Sequence, residues 1–282
     1  MQRGVFLSGQ LSISEQLAYS TVRLVARLTS GETSIGTAFV YRFLDDGAKH
    51  VPALVTNKHV VDGATDVTFL VHEASGDVPH PSLSLSVTLP RQDNWVPHPD
   101  PDVDLTVLPI APLIEAARSQ GKTLFYVALE HSLVPSPDEM RNLTAVEDIL
   151  MVGYPIGIWD STNNMPVFRT GITATHPGID YEGRTEFMID AACFPGSSGS
   201  PVFLFNIGSY PTKDGGLTVG TRVKLLGALY AGPQFSARGE VSVENIPTAQ
   251  RLVTSSSLPA NLGLVVKAQR IADFDPLLQA LL

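Results

Sequence analysis

Apolar runs of strand length, broken by turn-forming residues, recur along the whole chain. They lie at 21–28, 36–43, 51–55, 67–71, 83–89, 105–110, 149–152, 187–189, 202–205 and 223–230. Some alternate apolar with polar positions and others are apolar throughout, which predicts half-buried and fully buried strands respectively. Many short strands with Gly, Pro, Asn and Asp between them indicate a sandwich or a barrel. Helical spacing is weaker, at 14–19, 112–119 and 271–281. In the last of these, Ile271, Phe274, Leu277, Leu278 and Leu281 share one face, so it is expected to dock on a core. Segments 159–166, 209–219 and 235–258 are polar or rich in Gly and Pro. They are expected to be surface loops, the last unusually long.

Composition narrows the setting. A chain of 282 residues that is 44% hydrophobic buries a substantial core, and β-barrels of this length are commonly one unit. The net charge is −9 and the 19 Lys and Arg are spread thinly, so the basic footprint of a nucleic-acid partner is absent. No stretch approaches the ~20 apolar residues that span a membrane. The N-terminal run Val5-Phe6-Leu7 is too short for a secretory leader. A single cysteine, Cys193, leaves no intramolecular disulfide, and the expected location is cytoplasmic.

Chemistry concentrates in Ile189-Asp190-Ala191-Ala192-Cys193-Phe194-Pro195-Gly196-Ser197-Ser198-Gly199-Ser200-Pro201-Val202-Phe203. A serine between a Pro-Gly turn and an apolar strand is a nucleophile held out on a loop. Gly196 lets its own N–H face a reacting carbonyl, and with the N–H of Ser198 it would form an oxyanion hole. A bland glycine-serine turn is the competing reading.

A serine hydroxyl needs a base within reach. Of seven histidines, His59 alone ends a strongly apolar strand-like run, 51–61. Most of the others, His80 and His98 among them, sit beside Pro, Gly, Asp or Ser and are expected to be solvated. The base in turn needs an acid to hold its tautomer. Asp104 abuts the apolar run 105–110 and is the first choice; Asp102 is the alternative, and Asp100 is expected to cap a turn. Cys193 as a rival nucleophile is weighed against a pocket-wall or core thiol, the commoner role of a buried cysteine. No paired Cys/His spacing indicates zinc.

The order His, Asp, Ser is that of chymotrypsin, and here the resemblance becomes specific. The chain resembles a trypsin-like serine protease domain of the HtrA (Deg) type. Thr56-Asn57-Lys58-His59-Val60-Val61 is similar to that family's TNxHVV, and Asp104-Leu105-Thr106-Val107-Leu108 to its DIAVL. Asp190-Ala191-Ala192 with Pro195-Gly196-Ser197-Ser198-Gly199-Ser200-Pro201 is similar to DAAxxPGNSGGP. Segments 152–157, 170–174 and 261–266 resemble its GNPFG, SGIVSA and GIGFAI strands, so the likeness runs from about Thr21 to Leu282.

That resemblance implies an all-β fold of two packed six-stranded antiparallel β-barrels with a C-terminal helix and the active site between the barrels. It divides one unit, 1–282, into an N-terminal extension (about 1–20), a first barrel (about 21–125), a second barrel (about 140–270) and the helix, 271–282. It implies a serine endopeptidase acting on protein or peptide through an acyl-enzyme, with no cofactor or metal, no nucleic acid and no membrane. The catalytic residues would be His59, Asp104 and Ser198, with Gly196 and Ser198 as the oxyanion hole. Ala192, Cys193, Phe194, Pro195, Tyr230, Ala231 and Gly232 would line a neutral pocket for small or medium apolar side chains such as Val, Ala, Leu or Met. Whether Tyr230 closes that pocket or presents its hydroxyl stays open.

Ser197 and Ser200 stand where the family has Asn and Gly, both small enough to keep the loop compact. With Ser197 in place of the zymogen aspartate, and no Ile-Val-Gly-Gly-like N-terminus, activation by chain cleavage is not expected. With so few residues after Glu240, no PDZ domain is expected to follow. A regulatory protein or a homo-oligomer is a possible partner, and a loop such as 237–254 is a candidate gate. The alternatives are a catalytically silent or latent protease-fold binding module and a non-proteolytic acyl hydrolase.

Overall fold

Strands β1 (Thr21–Leu28) and β2 (Thr33–Phe43) show why the first sheet is apolar on both faces. Ala38 and Val40 of β2 pack with Val22, Leu24 and Ala26 in one buried cluster, while Phe39, Tyr41 and Phe43 join another. Successive strand side chains face opposite sides, so this strand separates two cores.

The computed structural model describes residues 11–90, 95–156, 158–232, 234–241, 252–259 and 261–282. The first half continues with β3 (Val51–Thr56), β4 (Ala64–Ser75), β5 (Val78–Pro90), β6 (Val96–Pro97), β7 (Thr106–Pro109) and β8 (Leu124–Phe125). Among the described residues these strands form one eight-stranded sheet, ordered β5-β4-β1-β2-β3-β7-β6, with β8 added to β4. The second half contains β9 (Asp148–Gly153), β10 (Val167–Thr173), β11 (Glu186–Asp190) and β12 (Pro201–Asn206). It continues with β13 (Ser209–Pro211), β14 (Leu217–Val219), β15 (Arg222–Ala231), β16 (Gln234–Val241), β17 (Leu252–Pro259) and β18 (Leu262–Lys267). Six of them close a barrel in the order β10-β11-β18-β15-β12-β9.

The all-β chymotrypsin-like expectation therefore holds, with a closed six-stranded second barrel. The first half differs in strand number because the two-residue β6 and β8 extend it at β7 and β4.

Three buried clusters follow from this arrangement. One lies within the first sheet, around Leu24, Val40, Leu54 and Phe69. A second fills the barrel, with Ile149, Met151, Phe187, Val202 and Leu226. The third lies between the halves and takes the opposite faces of the same strands, including Phe39, Val55, Leu150, Val152 and Phe203. Each large side chain fully removed from water in these clusters contributes about 1.5–3 kcal/mol.

Helix α1 (Ile13–Ala18) begins with a capping box: Glu15 N–H donates to Ser12, whose own N–H donates to the Glu15 carboxylate. It adds Leu17 to the inter-half core. Short helices α2 (Lys58–Val61), α3 (Ala111–Ser119) and α4 (Pro137–Asn142) follow. The single helix expected at 271–281 is instead a 3₁₀ turn, Ala268–Phe274, followed by α5 (Asp275–Gln279). Pro276 lacks an N–H and fits a first turn but not a helix interior, so the helix restarts there. Ile271, Phe274 and Leu278 still reach the inter-half core. Among the described residues no helix is long and apolar enough to cross a membrane.

Two expected loops contain strands. Segment 209–219 is the β13–β14 hairpin, turning at Gly215-Gly216 with Thr212 N–H free to donate back into its own sharp turn, onto the Gly216 carbonyl at 3.0 Å. Segment 235–258 has strand arms, since β16 pairs with β17 from Gln234↔Pro259 to Val241↔Leu252. Polar composition concealed both, because neither segment carries the apolar alternation that marks a strand. The proposed gate at 237–254 thus lies partly on this ladder, and its central part, 242–251, lies outside the described residues. Segment 159–166 is a loop closed by an Asp160↔Met165 bridge, with the Thr162 and Asn163 N–H groups donating to Asp160 Oδ1.

Candidate active site

Strand β3 ends where its next side chains are committed to the loop 98–105. Asn57 Nδ2 donates to the Asp104 carbonyl at 2.7 Å, and Lys58 Nζ to the carbonyls of Asp100 and Pro101 at 3.1 and 3.3 Å. His59, in the single turn of α2, donates its N–H to Asp104 Oδ1 at 3.1 Å. Its ring Nδ1 lies 2.5 Å from Asp104 Oδ2. An ionised carboxylate only accepts, so Nδ1 carries the proton and Nε2 is left as the basic nitrogen.

The histidine side chain is 48% exposed and that of Asp104 23%, so the acid is half-buried rather than fully buried. Asp100 does cap a turn: its Oδ1 accepts the Asp102 N–H, and its Oδ2 pairs with Arg270 at 2.9 Å. These two contacts, the N–H first, hold its carboxyl below the usual range. Asp102 is exposed, and it is Asp104 that the structure brings to His59.

His98 corrects the expectation of a solvated loop residue. It is buried, with Nδ1 accepting from the Asp100 N–H at 3.0 Å and Nε2 at 3.1 Å from both the Arg270 carbonyl and Asp273 Oδ2. The C-terminal 3₁₀ turn covers it, a contact across 175 residues that its proline neighbours do not reveal.

The loop before Ser198 is built on a type II turn. Ser197 N–H donates to the Phe194 carbonyl at 3.0 Å, with Pro195 second and Gly196, at φ +87°, third. This turn requires a positive φ at its third residue and favours proline at its second. A Cβ on Gly196 would also stand 2.8 Å from both the Tyr154 carbonyl oxygen and the Ile156 nitrogen. Further on, Gly199, at φ +84°, leaves no room for a Cβ beside the Thr37 carbonyl and Thr56 Oγ1.

Every carbonyl from Phe194 to Ser198 accepts a hydrogen bond. Pro195 takes Ile156 N–H at 2.8 Å, Gly196 takes Thr37 Oγ1 at 3.1 Å, Ser197 takes Ser200 N–H at 3.0 Å, and Ser198 takes Thr37 N–H at 2.8 Å. The N–H groups of Gly196 and Ser198 have no acceptor among the described residues. Because a trans peptide points its N–H opposite to its C=O, the Gly196 N–H faces away from Ile156. Ser198 Oγ lies 3.5 Å from the Tyr230 carbonyl, and among the described residues no hydrogen bond joins it to His59. The hydroxyls of Ser197 and Ser200 are buried without partners among the described residues, in keeping with a compact loop.

The residues expected to wall the pocket lie as follows. The Ala192 carbonyl accepts from Arg169 Nη1 at 2.9 Å, and the same guanidinium lies 4.6 Å over the exposed ring of Phe194. Pro195 is exposed at the turn. Cys193 between them packs on the barrel core, where burial pushes its thiol up to about 11. A protonated, half-buried thiol is not a nucleophile near neutral pH, so the rival reading of Cys193 falls. A Cβ on Gly263 would meet Cys193 Sγ and Leu229 Cδ1 at 2.6 Å, and one on Gly232 would be 3.5 Å from Cys193 Cβ. The segments 192–195 and 230–232 are thus packed together across Cys193. Ala231 pairs with Leu264 beyond a bulge in β15. The Tyr230 hydroxyl donates to Glu186 Oε2 at 2.9 Å, and burial together with this carboxylate pushes the phenol up to about 12.

Three residues that the sequence does not single out, Thr37, Arg169 and Glu186, shape the site beside Asn57 and Lys58. Asn57 and Lys58 lie inside the histidine motif and were legible there as turn formers. Thr37, Arg169 and Glu186 act on segments remote in sequence, and no local pattern marks them.

The family of trypsin-like peptidase domains matches residues 36–208, a span that holds all three triad candidates. Among solved structures the chain is similar to the HtrA-type protease AlgW with tripeptide, at 19% identity and a TM-score of 0.47, over 90% of this chain and 58% of that one. It is also similar to the serine endoprotease from Yersinia pestis, at 14% identity and a TM-score of 0.49, over 96% of this chain and 68% of that one. The chain thus spans little more than half the length of the AlgW chain. No curated protein matches it.

Proposed function

This chain belongs to the trypsin-like peptidase domain family, and from that premise we propose that it is a serine endopeptidase using His59, Asp104 and Ser198. One observation carries most of the weight: the loop 194–198 has all its carbonyls engaged, while the Gly196 and Ser198 N–H groups, on either side of Ser197, have no acceptor among the described residues. Two unpaired donors beside a serine suit an oxyanion. A loop serving only as a turn has no need of them.

In this reading His59 Nε2 takes the proton from Ser198 Oγ as that oxygen attacks the scissile carbonyl. Asp104 holds the ring through Nδ1 and stabilises the imidazolium. The two free N–H groups receive the developing oxyanion, each contributing about 2.7–4 kcal/mol in sites of this kind. The protonated His59 then gives its proton to the leaving amine, and the acyl-enzyme forms. Water activated by His59 hydrolyses it and restores Ser198. Serine–histidine hydrogen bonds are commonly loose without substrate, and rotation of Oγ from the Tyr230 carbonyl toward His59 begins the cycle.

The substrate is protein or peptide, cleaved after small or medium apolar residues. Ala192 at the pocket floor brings no carboxylate, and Gly232 and Gly263 pack closely against its neighbour Cys193. A peptide library incubated with the protein and with Ser198→Ala, read by mass spectrometry, tests this. Cleavage after Val, Ala, Leu or Met by the wild type alone is expected; cleavage after Arg or Lys contradicts the pocket assignment. Hydrolysis of a small ester with no peptide cleavage would favour the acyl hydrolase instead.

A second reading, a latent or silent binding module that awaits an activating partner, is favoured by the resting contact of Ser198 with the Tyr230 carbonyl. It predicts a folded protein that neither cleaves peptides nor reacts at Ser198.

A further inference from the structure

We propose that Thr37 is a positioning residue for the nucleophile loop, through which the first half of the molecule sets the oxyanion donors of the second. The inference rests on the protease reading.

Thr37 lies on β2, wholly buried, and all its polar atoms act on the site. Its N–H donates to the Ser198 carbonyl at 2.8 Å, and its hydroxyl donates to the Gly196 carbonyl at 3.1 Å. The same hydroxyl accepts the Tyr154 N–H at 3.0 Å, and its carbonyl accepts from Thr56 Oγ1 at 2.7 Å. A hydroxyl that donates once and accepts once in a buried place has its hydrogen position fixed by its partners.

These bonds bracket the chemistry. Gly196 and Ser198 are the two proposed oxyanion donors, and Thr37 holds the carbonyl of each. Tyr154, the third partner, is the residue whose carbonyl would crowd any Cβ at Gly196. Thr56 is three residues before His59 and begins the turn that presents it. Preceding Thr37, Gly36 gives way to α2: a Cβ there would collide with Val60, next to His59. One residue is therefore bonded to the serine loop on both sides of Ser197 and to the strand that delivers the histidine.

A hydrogen bond from an uncharged hydroxyl is of modest net strength. Its effect on rate comes from geometry, since misplacing catalytic groups by about 1 Å costs on the order of 100-fold. Val is nearly isosteric with Thr and lacks the hydroxyl; Ser keeps the hydroxyl and loses the methyl.

The test is the kinetics of fluorophosphonate inactivation, resolved into a limiting rate and a half-saturation concentration, for wild type, Thr37→Val and Thr37→Ser. Circular dichroism and melting curves accompany each, with Thr37→Ala replacing Val if that variant does not fold. The expected result is a limiting rate roughly 10- to 100-fold lower in the hydroxyl-free variant, with half-saturation little changed and the rate restored in Thr37→Ser. Equal rates in wild type and the hydroxyl-free variant overturn the inference while leaving the protease reading intact. Equal losses in the Val and Ser variants also overturn it, because packing rather than the hydroxyl would be responsible. A wild type that does not react overturns the protease reading and this inference with it.

Discussion

The two halves of the molecule prepare their candidate catalytic groups in different ways. In the first half, the base and its acid are assembled locally: Asn57, Lys58 and His59 are consecutive, and all three bond to the loop 100–104. In the second half, Ser198 sits on a loop whose shape depends on its own turn, on Ile156 and Tyr154, and on Thr37 across the inter-half core. The pair's own bonds lie within the first half, and the C-terminal Arg270 and Asp273 brace its loop through Asp100 and His98. The nucleophile loop needs both halves packed, which makes it the more sensitive of the two to remote substitution.

The largest expected effects test the local pair. His59→Ala should lower peptidase turnover by about 10⁶-fold, and Asp104→Asn by about 10⁴-fold, each with near-normal melting behaviour. Asp102→Asn should leave turnover little changed, since Asp104 makes the contact with the ring. A severe loss in Asp102→Asn with activity retained in Asp104→Asn would reverse the assignment of the acid.

Two glycines of identical φ sharpen the contrast. Gly31 and Gly196 both stand at +87°, yet a Cβ on Gly31 meets nothing within 4 Å. Gly31→Ala should cost on the order of 1 kcal/mol of stability and no activity. Gly196→Ala must also push against Tyr154 and Ile156, so it should lower turnover by about 10²- to 10³-fold through the displaced donor. Equal kinetic effects from both would show that the turn does not set the rate.

Arg169 gives a smaller test. Its guanidinium ties Ala192 and Phe194 together on one side of the loop, so Arg169→Met should lower kcat/KM by roughly 10-fold, with the greatest loss for substrates that fill the pocket. Arg169→Lys should recover little of this, because an ammonium lacks the planar stack and fixed fork. Wild-type kcat/KM in Arg169→Met would remove the residue from the account.

Cys193 provides the mildest probe. Its thiol is raised from 9.0 to about 11 by burial, so the protonated form is favoured in the folded state. The associated stabilisation is complete below the unfolded value and is lost as pH rises through the folded one. Alkylation of the native protein by iodoacetamide should stay slow at pH 8 and accelerate up to about pH 11, whereas the denatured chain should level off earlier. Rapid native alkylation at pH 7 would indicate an exposed, activated thiol.

Much of this architecture was legible in the chain. The apolar runs located most strands because those strands border one or two cores, and the three motifs that hold the triad candidates carry their own turn residues. Other features depend on contacts that no local window contains. His98 looks solvated beside Pro97 and near Pro101 until Arg270 and Asp273 close over it. Thr37 reads as an ordinary strand threonine until Gly196, 159 residues later, accepts its hydroxyl. The split of the C-terminal helix was signalled by Pro276 but masked by the regular spacing of Ile271, Phe274 and Leu278. Local chemistry revealed the triad candidates, and long-range hydrogen bonding decided how their loops are held.

The central claim is that Ser198 is an activated nucleophile beside a formed oxyanion hole. Fluorophosphonate labelling of the purified protein, read by intact mass beside Ser198→Ala, tests it most directly. The account predicts one adduct per chain, absent from the variant. A folded wild type that gains no adduct, or an adduct that persists in Ser198→Ala, would contradict it.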